Sequence, residues 1–109
     1  MSRDRLLALG QEYSIDILEA AESSVSAREL SDELEVPIAT CYRRIETLVD
    51  AGLLEEVGRE LSDRGRQTTV YRRSVEEIQI TFEEEKTGVE VTERPEQRQS
   101  IRRYPGLDR

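Results

Sequence analysis

The chain has no histidine, one cysteine and one lysine among its 109 residues. A lone thiol, Cys41, cannot close an internal disulfide. Without imidazoles, without a cysteine constellation and without a glycine-rich phosphate loop, few side chains remain for acid–base or nucleophilic chemistry, so an enzyme is the weakest of the functional classes. No cofactor is expected. Aromatic residues are few as well, Phe82 and four tyrosines, so leucine, isoleucine and valine must build the core. No apolar run is long enough to cross a bilayer and no signal-peptide h-region is seen, which sets the expectation of a soluble, cytoplasmic protein that binds no membrane. At this length one domain with a modest core is expected.

Charge is what the chain has in excess. Twenty-four acidic residues face sixteen basic ones, for a net charge of −8. All the basic residues but Lys86 are arginine. Such an acidic, lysine-poor surface suits a protein kept soluble in multimolar salt, where charge is screened rather than self-repelling. Net acidity counts against a nucleic-acid partner, because phosphate neutralisation supplies much of that affinity. The distribution counts the other way. Carboxylates gather in the first helices and in Glu76-Glu77 and Glu83-Glu84-Glu85, while arginines gather downstream, between Arg43 and Arg73 and in the tail. An acidic surface that mimics a partner is the alternative.

The most informative stretch runs from Ser26 to Gly52. Ser26 and Glu29 form a capping box, and Ala27, Leu30 and Leu34 then line one helical face. Val36, which precedes a proline, is pushed toward extended geometry and halts the pattern. Pro37 suits the first position of a second helix over residues 37–51, with Cys41, Ile45, Leu48 and Val49 inward and Gly52 as a left-handed cap. Two short helices with a tight elbow describe a helix-turn-helix. The second helix turns Ala39, Thr40, Arg43 and Thr47 outward, flanked by Ile38, Tyr42 and Glu46. Small residues near its start allow close approach to a major groove, and arginine, hydroxyls and methyls can read base edges. The plainer alternative makes Tyr42 and Arg43 ordinary solvated residues. Cys41, on the inward stripe, is read as a small buried hydrophobe rather than a redox sensor.

After Gly52, Leu53, Leu54, Val57 and Leu61 suggest one strand and Thr68 to Tyr71 its partner. Ser62-Asp63-Arg64-Gly65-Arg66 would form the tip, with Gly65 free to take positive φ. Arg59, Arg64, Arg66, Arg72 and Arg73 make this wing, residues 58–73, a candidate for phosphate or minor-groove contact. A solubilising loop is the alternative.

Ile38 to Leu54, IATCYRRIETLVDAGLL, resembles the recognition helix and first wing strand of winged helix-turn-helix transcription regulators, in particular ArsR-like and MarR-like forms from halophilic archaea. Leu9 to Leu18 is similar to the first helix of that group. The resemblance covers residues 5–73 and is specific for fold rather than for a regulated gene. It implies that Ile38, Ala39, Thr40, Tyr42, Arg43 and Thr47 face the major groove and that Arg64 and Arg66 lie at the wing tip. Metal-sensing relatives use cysteine and histidine ligands, whereas this chain has one cysteine and no histidine, so a metal sensor is not implied.

The expected fold is therefore α+β, a winged helix-turn-helix of three to four helices over residues 1–75. The segment from Leu6 to Ala21 (Leu6, Leu7, Leu9, Tyr13, Ile17, Leu18, Ala21) would close over it, bent or interrupted at Gly10. Ile78, Ile80 and Phe82, then Val89 and Val91, alternate with polar residues and predict a second hairpin over residues 76–93. Its apolar face either covers its own domain or pairs with a second copy. Residues 94–109 read as a loosely ordered arginine-containing tail, trailing along phosphates or simply solvated. The function so implied is sequence-specific binding of double-stranded DNA by a transcription regulator. A single recognition helix reads few base pairs, so a homodimer is expected, paired either around Leu6, Leu7 and Leu9 or around Ile78, Ile80 and Phe82. A winged-helix module that binds protein is the alternative.

Overall fold

The N-terminal apolar pattern breaks once, and the break sets which residues face inward. The computed structural model describes residues 2–61 and 65–95; Arg64, its two predecessors in the wing tip, and the tail from residue 96 lie outside the described residues. Helix α1, Ser2–Leu9, ends where the Gly10 N–H donates to Leu6 O at 3.0 Å. The chain restarts as α2, Ser14–Ala20, behind Tyr13, which sits in the left-handed region at φ 75°. Gly10 thus lies in an interruption rather than a bend. The break resets the helical phase, so Ala8 is buried and Leu7, expected inside, is 64% exposed.

The helix-turn-helix follows the local chemistry closely. Ser26 belongs to a two-residue strand, β1 (Val25–Ser26), and caps α3 (Ala27–Leu34). Its Oγ accepts from the Glu29 N–H at 3.1 Å, and Glu29 Oε1 accepts from the Ser26 N–H at 2.8 Å. Such a cap contributes about 1 kcal/mol. Helix α3 stops because Glu35 turns left-handed, at φ 57° and ψ 48°. The Val36 N–H then reaches Ser31 O at 3.1 Å, and Ser31 Oγ donates to Val36 O at 2.6 Å. Pro37 is the N-cap rather than the first residue of α4, which spans Ile38–Asp50.

At the far end of α4 the Leu53 N–H donates to Leu48 O and the Gly52 N–H to Val49 O. This pair of bonds is a Schellman cap, with Gly52 at φ 79° supplying the left-handed residue. Leu48 and Leu53, both wholly buried, are the apolar contact that accompanies it. Cys41, Ile45 and Leu48 face inward as the period requires; Val49 is only half-buried.

The wing is β2 (Leu54–Leu61) paired antiparallel with β3 (Gln67–Arg73), and β1 pairs on the other side of β3, giving the sheet order β1-β3-β2. A bulge between Glu56 and Gly58 leaves Val57 unpaired. Gly65 has φ 80°. A second hairpin, β4 (Val75–Glu83) with β5 (Lys86–Glu93), forms its own two-stranded sheet, with Ile78 opposite Val91 and Ile80 opposite Val89. Strand β5 packs on α1, which also touches α4. The core joins Ile17, Leu30, Leu48, Leu53 and Leu54 to Val75 at the base of the second hairpin. The architecture is an α+β winged helix-turn-helix with four helices among the described residues. No helix among them is long and apolar enough to cross a membrane.

Two left-handed residues yield opposite expectations. Gly52→Ala is expected to destabilise the protein by about 1–2 kcal/mol, since its Cβ meets only ordinary contact with Arg5 and the cost is backbone strain. Glu35→Gly is expected to stabilise by about 0.5–1 kcal/mol by relieving the same strain at the end of α3. Thermal melts of the two variants check both signs.

Candidate functional site

The exposed side of α4 is built by the phase that buries Cys41, Ile45 and Leu48. Ala39, Tyr42, Arg43 and Glu46 are exposed, while Thr40 and Thr47 are half-buried. Ile38 is half-buried too and packs partly against the core, so it offers an edge rather than a whole side chain. Arg43 Nη2 donates to Thr40 Oγ1 at 3.3 Å. Thr47 Oγ1 donates to Arg43 O at 3.0 Å, which leaves the hydroxyl lone pairs and methyl to meet a partner. Tyr42 is 55% exposed.

Charge divides this face lengthwise. From Ile38 to Arg43 the helix carries no carboxylate, so none of its own first residues offsets the partial positive charge of its N-terminal N–H groups. Its C-terminal half carries Glu46 and Asp50. These two, with Tyr42, Ile45, Val49, Glu56 and Tyr71, line a cleft of about 270 Å³ between α4 and the wing. Burial pushes the Tyr71 phenol above its ordinary range, and the neighbouring Glu56 and Tyr42 add to the rise.

The strand register orients the wing relative to α4. Tyr71 lies on the same face of β3 as Thr69 and Gln67, whose partners on β2 are Arg59 and Leu61. Arg59 and Leu61 therefore share the face that Tyr71 turns to the α4 cleft, and both are exposed. Arg66 is exposed next to Gly65; Arg64 lies outside the described residues. Arg59 is a residue that composition alone cannot assign to a side, because the unpaired Val57 shifts the alternation along β2.

Not every arginine of the wing region faces outward. Arg72 is half-buried, with Nη2 3.7 Å from Glu55 across the strand pair. Arg73 turns back into the body: Nη1 donates to Leu18 O at 2.9 Å, Nε to Val75 O at 3.0 Å, and its backbone N–H to Ala21 O at 2.8 Å. It thereby satisfies carbonyls at the C-terminal end of α2. Arg44, next to Arg43, donates from Nε to Glu12 O at 2.7 Å and ties α4 to the turn after α1. Cys41 is fully buried, its thiol pushed up by burial; that is the state of an inert core residue. Among the described residues no group of three or more acidic or cysteine side chains is placed to hold a metal ion.

Residues 9–57 match the model of a helix-turn-helix domain family. The chain is similar in structure to a possible transcriptional regulator from Methanosarcina mazei Go1, with 16% identity and a TM-score of 0.51. The match covers 65% of this chain and 62% of that one, so the chain spans less than two thirds of that protein's length. At such identity the likeness is one of fold. No curated protein matches the sequence.

The two kinds of arginine separate by stability. Arg73→Ala is expected to cost about 2–3 kcal/mol, since it strips donors from partly buried carbonyls, whereas Arg43→Ala and Arg59→Ala are expected to stay within about 0.5 kcal/mol of the parent. Urea denaturation of the three variants measures the difference.

Proposed function

We propose that the chain is a sequence-specific double-stranded DNA-binding transcription regulator that enters the major groove with the N-terminal half of α4. The observation that carries this reading is the carboxylate-free surface from Ile38 to Arg43. It exposes Ala39, Tyr42 and Arg43, and it stands beside a wing whose exposed Arg59 lies on the strand face that Tyr71 turns to α4. A recognition helix reads bases from its N-terminal residues. Ala39 lets the backbone approach, Arg43 can pair with a guanine edge, and Thr40 and Thr47 offer hydroxyl and methyl groups. Ile38 and Tyr42 fill the flanks. The wing, through Arg59, Arg66 and Arg64, lies on the phosphate backbone or in the adjacent minor groove. The helix-turn-helix family match over residues 9–57 and the fold of the Methanosarcina protein support the reading. No metal, cofactor or catalysis enters it, and the protein works in the cytoplasm as a homodimer on a two-fold site. The acidic, lysine-poor composition fits the halophilic, ArsR-like or MarR-like setting that the sequence resembles. At high salt phosphate contacts weaken, so base readout carries more of the discrimination.

The acidic half of α4 favours a second reading. The cleft of Tyr42, Glu46, Asp50, Glu56 and Tyr71 sets carboxylates beside aromatic rings, a surface that repels phosphate and suits a basic protein segment. A winged-helix module of a transcription-associated complex would use it.

Selection of duplexes from a random library, followed by binding at fixed salt, separates the two. Arg43→Ala is expected to lose about 1–3 kcal/mol on the selected site and to relax preference at one base. Arg66→Ala is expected to flatten the slope of log K against log salt by roughly one unit without changing the preferred sequence. Failure to enrich any sequence, with Glu46→Gln and Glu56→Gln leaving duplex affinity unchanged, would favour the protein-binding module.

A further inference from the structure

Leu61 closes β2 at the outer end of the wing and is 71% exposed. The core takes Leu53 and Leu54 at the inner end of the same strand and leaves this leucine in water. Cross-strand partners share a face. Leu61 pairs with Gln67 and Arg59 with Thr69, on the face that carries Tyr71. The inner end of that face, Glu56 and Tyr71, borders α4; its outer end is Leu61 and Gln67. Arg59 and Gln67 are exposed, as is Arg66 one residue before Gln67. Glu60, the carboxylate nearest to Leu61 on β2, pairs with Thr68 and lies on the opposite face. An exposed leucine is thus set beside guanidinium groups and an amide, with its neighbouring carboxylate turned away.

We infer that Leu61 is a wedge: it enters the minor groove next to the major-groove site, unstacks one base step there and bends the duplex. The inference rests on the proposed reading of α4 as a major-groove helix and adds to it a deformation that base contacts alone do not require. The reach of the wing fits. Leu61 lies five residues beyond Glu56 along β2, which places it about 16 Å further from α4 at the rise of an extended strand. With a helix in the major groove, the neighbouring minor groove lies half a turn away, roughly 17 Å along the axis.

The side chains fit as well. Proteins that kink DNA from the minor groove combine an apolar wedge with arginine and amide groups that read its edges. Unstacked bases offer the leucine methyls an apolar face, and the O2 and N3 acceptors of A·T pairs meet Gln67 and Arg59. A wing that only touched phosphate would gain nothing from a leucine at this position, whereas an arginine there would add a contact. A protein partner covering Leu61 would have to desolvate Arg59 and Gln67 along with it. Pyrimidine–purine steps unstack most easily, and A·T pairs narrow the groove and attract arginine, so the step selected is TA. Insertion of an apolar side chain releases no counterions, so this part of the discrimination persists where salt weakens phosphate contacts.

The test uses the full chain and the duplex it selects from a random library, labelled at both ends so that energy transfer reports bending. The selected site should carry a TA step about five base pairs from the guanine whose preference depends on Arg43. The parent should bend this duplex by at least about 20°, and 2-aminopurine placed at the step should brighten on binding. Leu61→Ser is expected to leave the duplex straight and the probe dark, and to lose about fivefold or more of the preference for that step. It should keep the base preference that depends on Arg43, and its thermal melt should overlay the parent's because Leu61 is exposed. Leu61→Phe, which keeps an apolar wedge, should keep the bend. A duplex left straight by the parent, or bent equally by Leu61→Ser, overturns the wedge. In both cases an intact Arg43-dependent preference shows that the reading of α4 survives. A parent that selects no duplex overturns wedge and reading together.

Discussion

The turn from Ala51 to Leu53 is the joint on which the arrangement depends. It closes α4 through the Leu53-to-Leu48 and Gly52-to-Val49 bonds, and one residue later β2 begins. The direction in which the wing leaves the recognition helix is thus set by a left-handed glycine and a buried leucine. Other elements converge on the same three residues. Arg5 Nε of α1 donates to Ala51 O at 3.1 Å, Ser74 Oγ donates to Gly52 O at 2.9 Å, and the Ser74 N–H donates to Leu53 O at 3.1 Å. Since Ser74 joins β3 to β4, both hairpins are tied to the end of the helix proposed to enter DNA. Orphan carbonyls at a helix terminus are costly when unpaired, and here satisfying them is also what assembles the molecule.

Electrostatics then divide the surface into regions with different tasks. Acidic side chains gather on α2, on α3 and on the outer face of the second hairpin. Against that background two short carboxylate-free stretches among the described residues differ in character. One is polar and arginine-bearing, at the start of α4; the other is apolar, at the far end of the second hairpin. The first suits phosphates and base edges; the second is an exposed apolar strip around Ile80 and Phe82. High ionic strength weakens phosphate attraction at the first and leaves apolar contact at the second.

Much of this was legible from residue types alone, and the exceptions have physical causes. The Ser26–Glu29 box, the proline elbow, the Gly52 cap and the alternation of both hairpins are local signals, each complete within a few residues. What escaped is non-local. Glu35 and Tyr13 adopt left-handed conformations that nothing in their side chains announces. Strand β1 is only Val25 and Ser26, and exists because β3 offers it an edge. The wing arginines look equivalent in sequence, yet Arg72 and Arg73 are claimed by Glu55 and by carbonyls of α2 and β4, while Arg59 faces outward. The exposed positions of α4 follow from its 3.6-residue period once Cys41, Ile45 and Leu48 are set inside. That its acidic half lines a cleft with Tyr71 depended on a strand pairing more than twenty residues away.

The central claim is that the N-terminal half of α4 meets base edges in the major groove. Guanine N7 methylation interference on a duplex selected from a random library tests it most directly, because the N7 position lies in that groove and nowhere else. Two clusters of interfering guanines about one helical turn apart are expected, with the interference at one guanine in each cluster abolished for Arg43→Ala. Binding indifferent to methylation at every guanine of a guanine-containing selected site, for parent and variant alike, would contradict it.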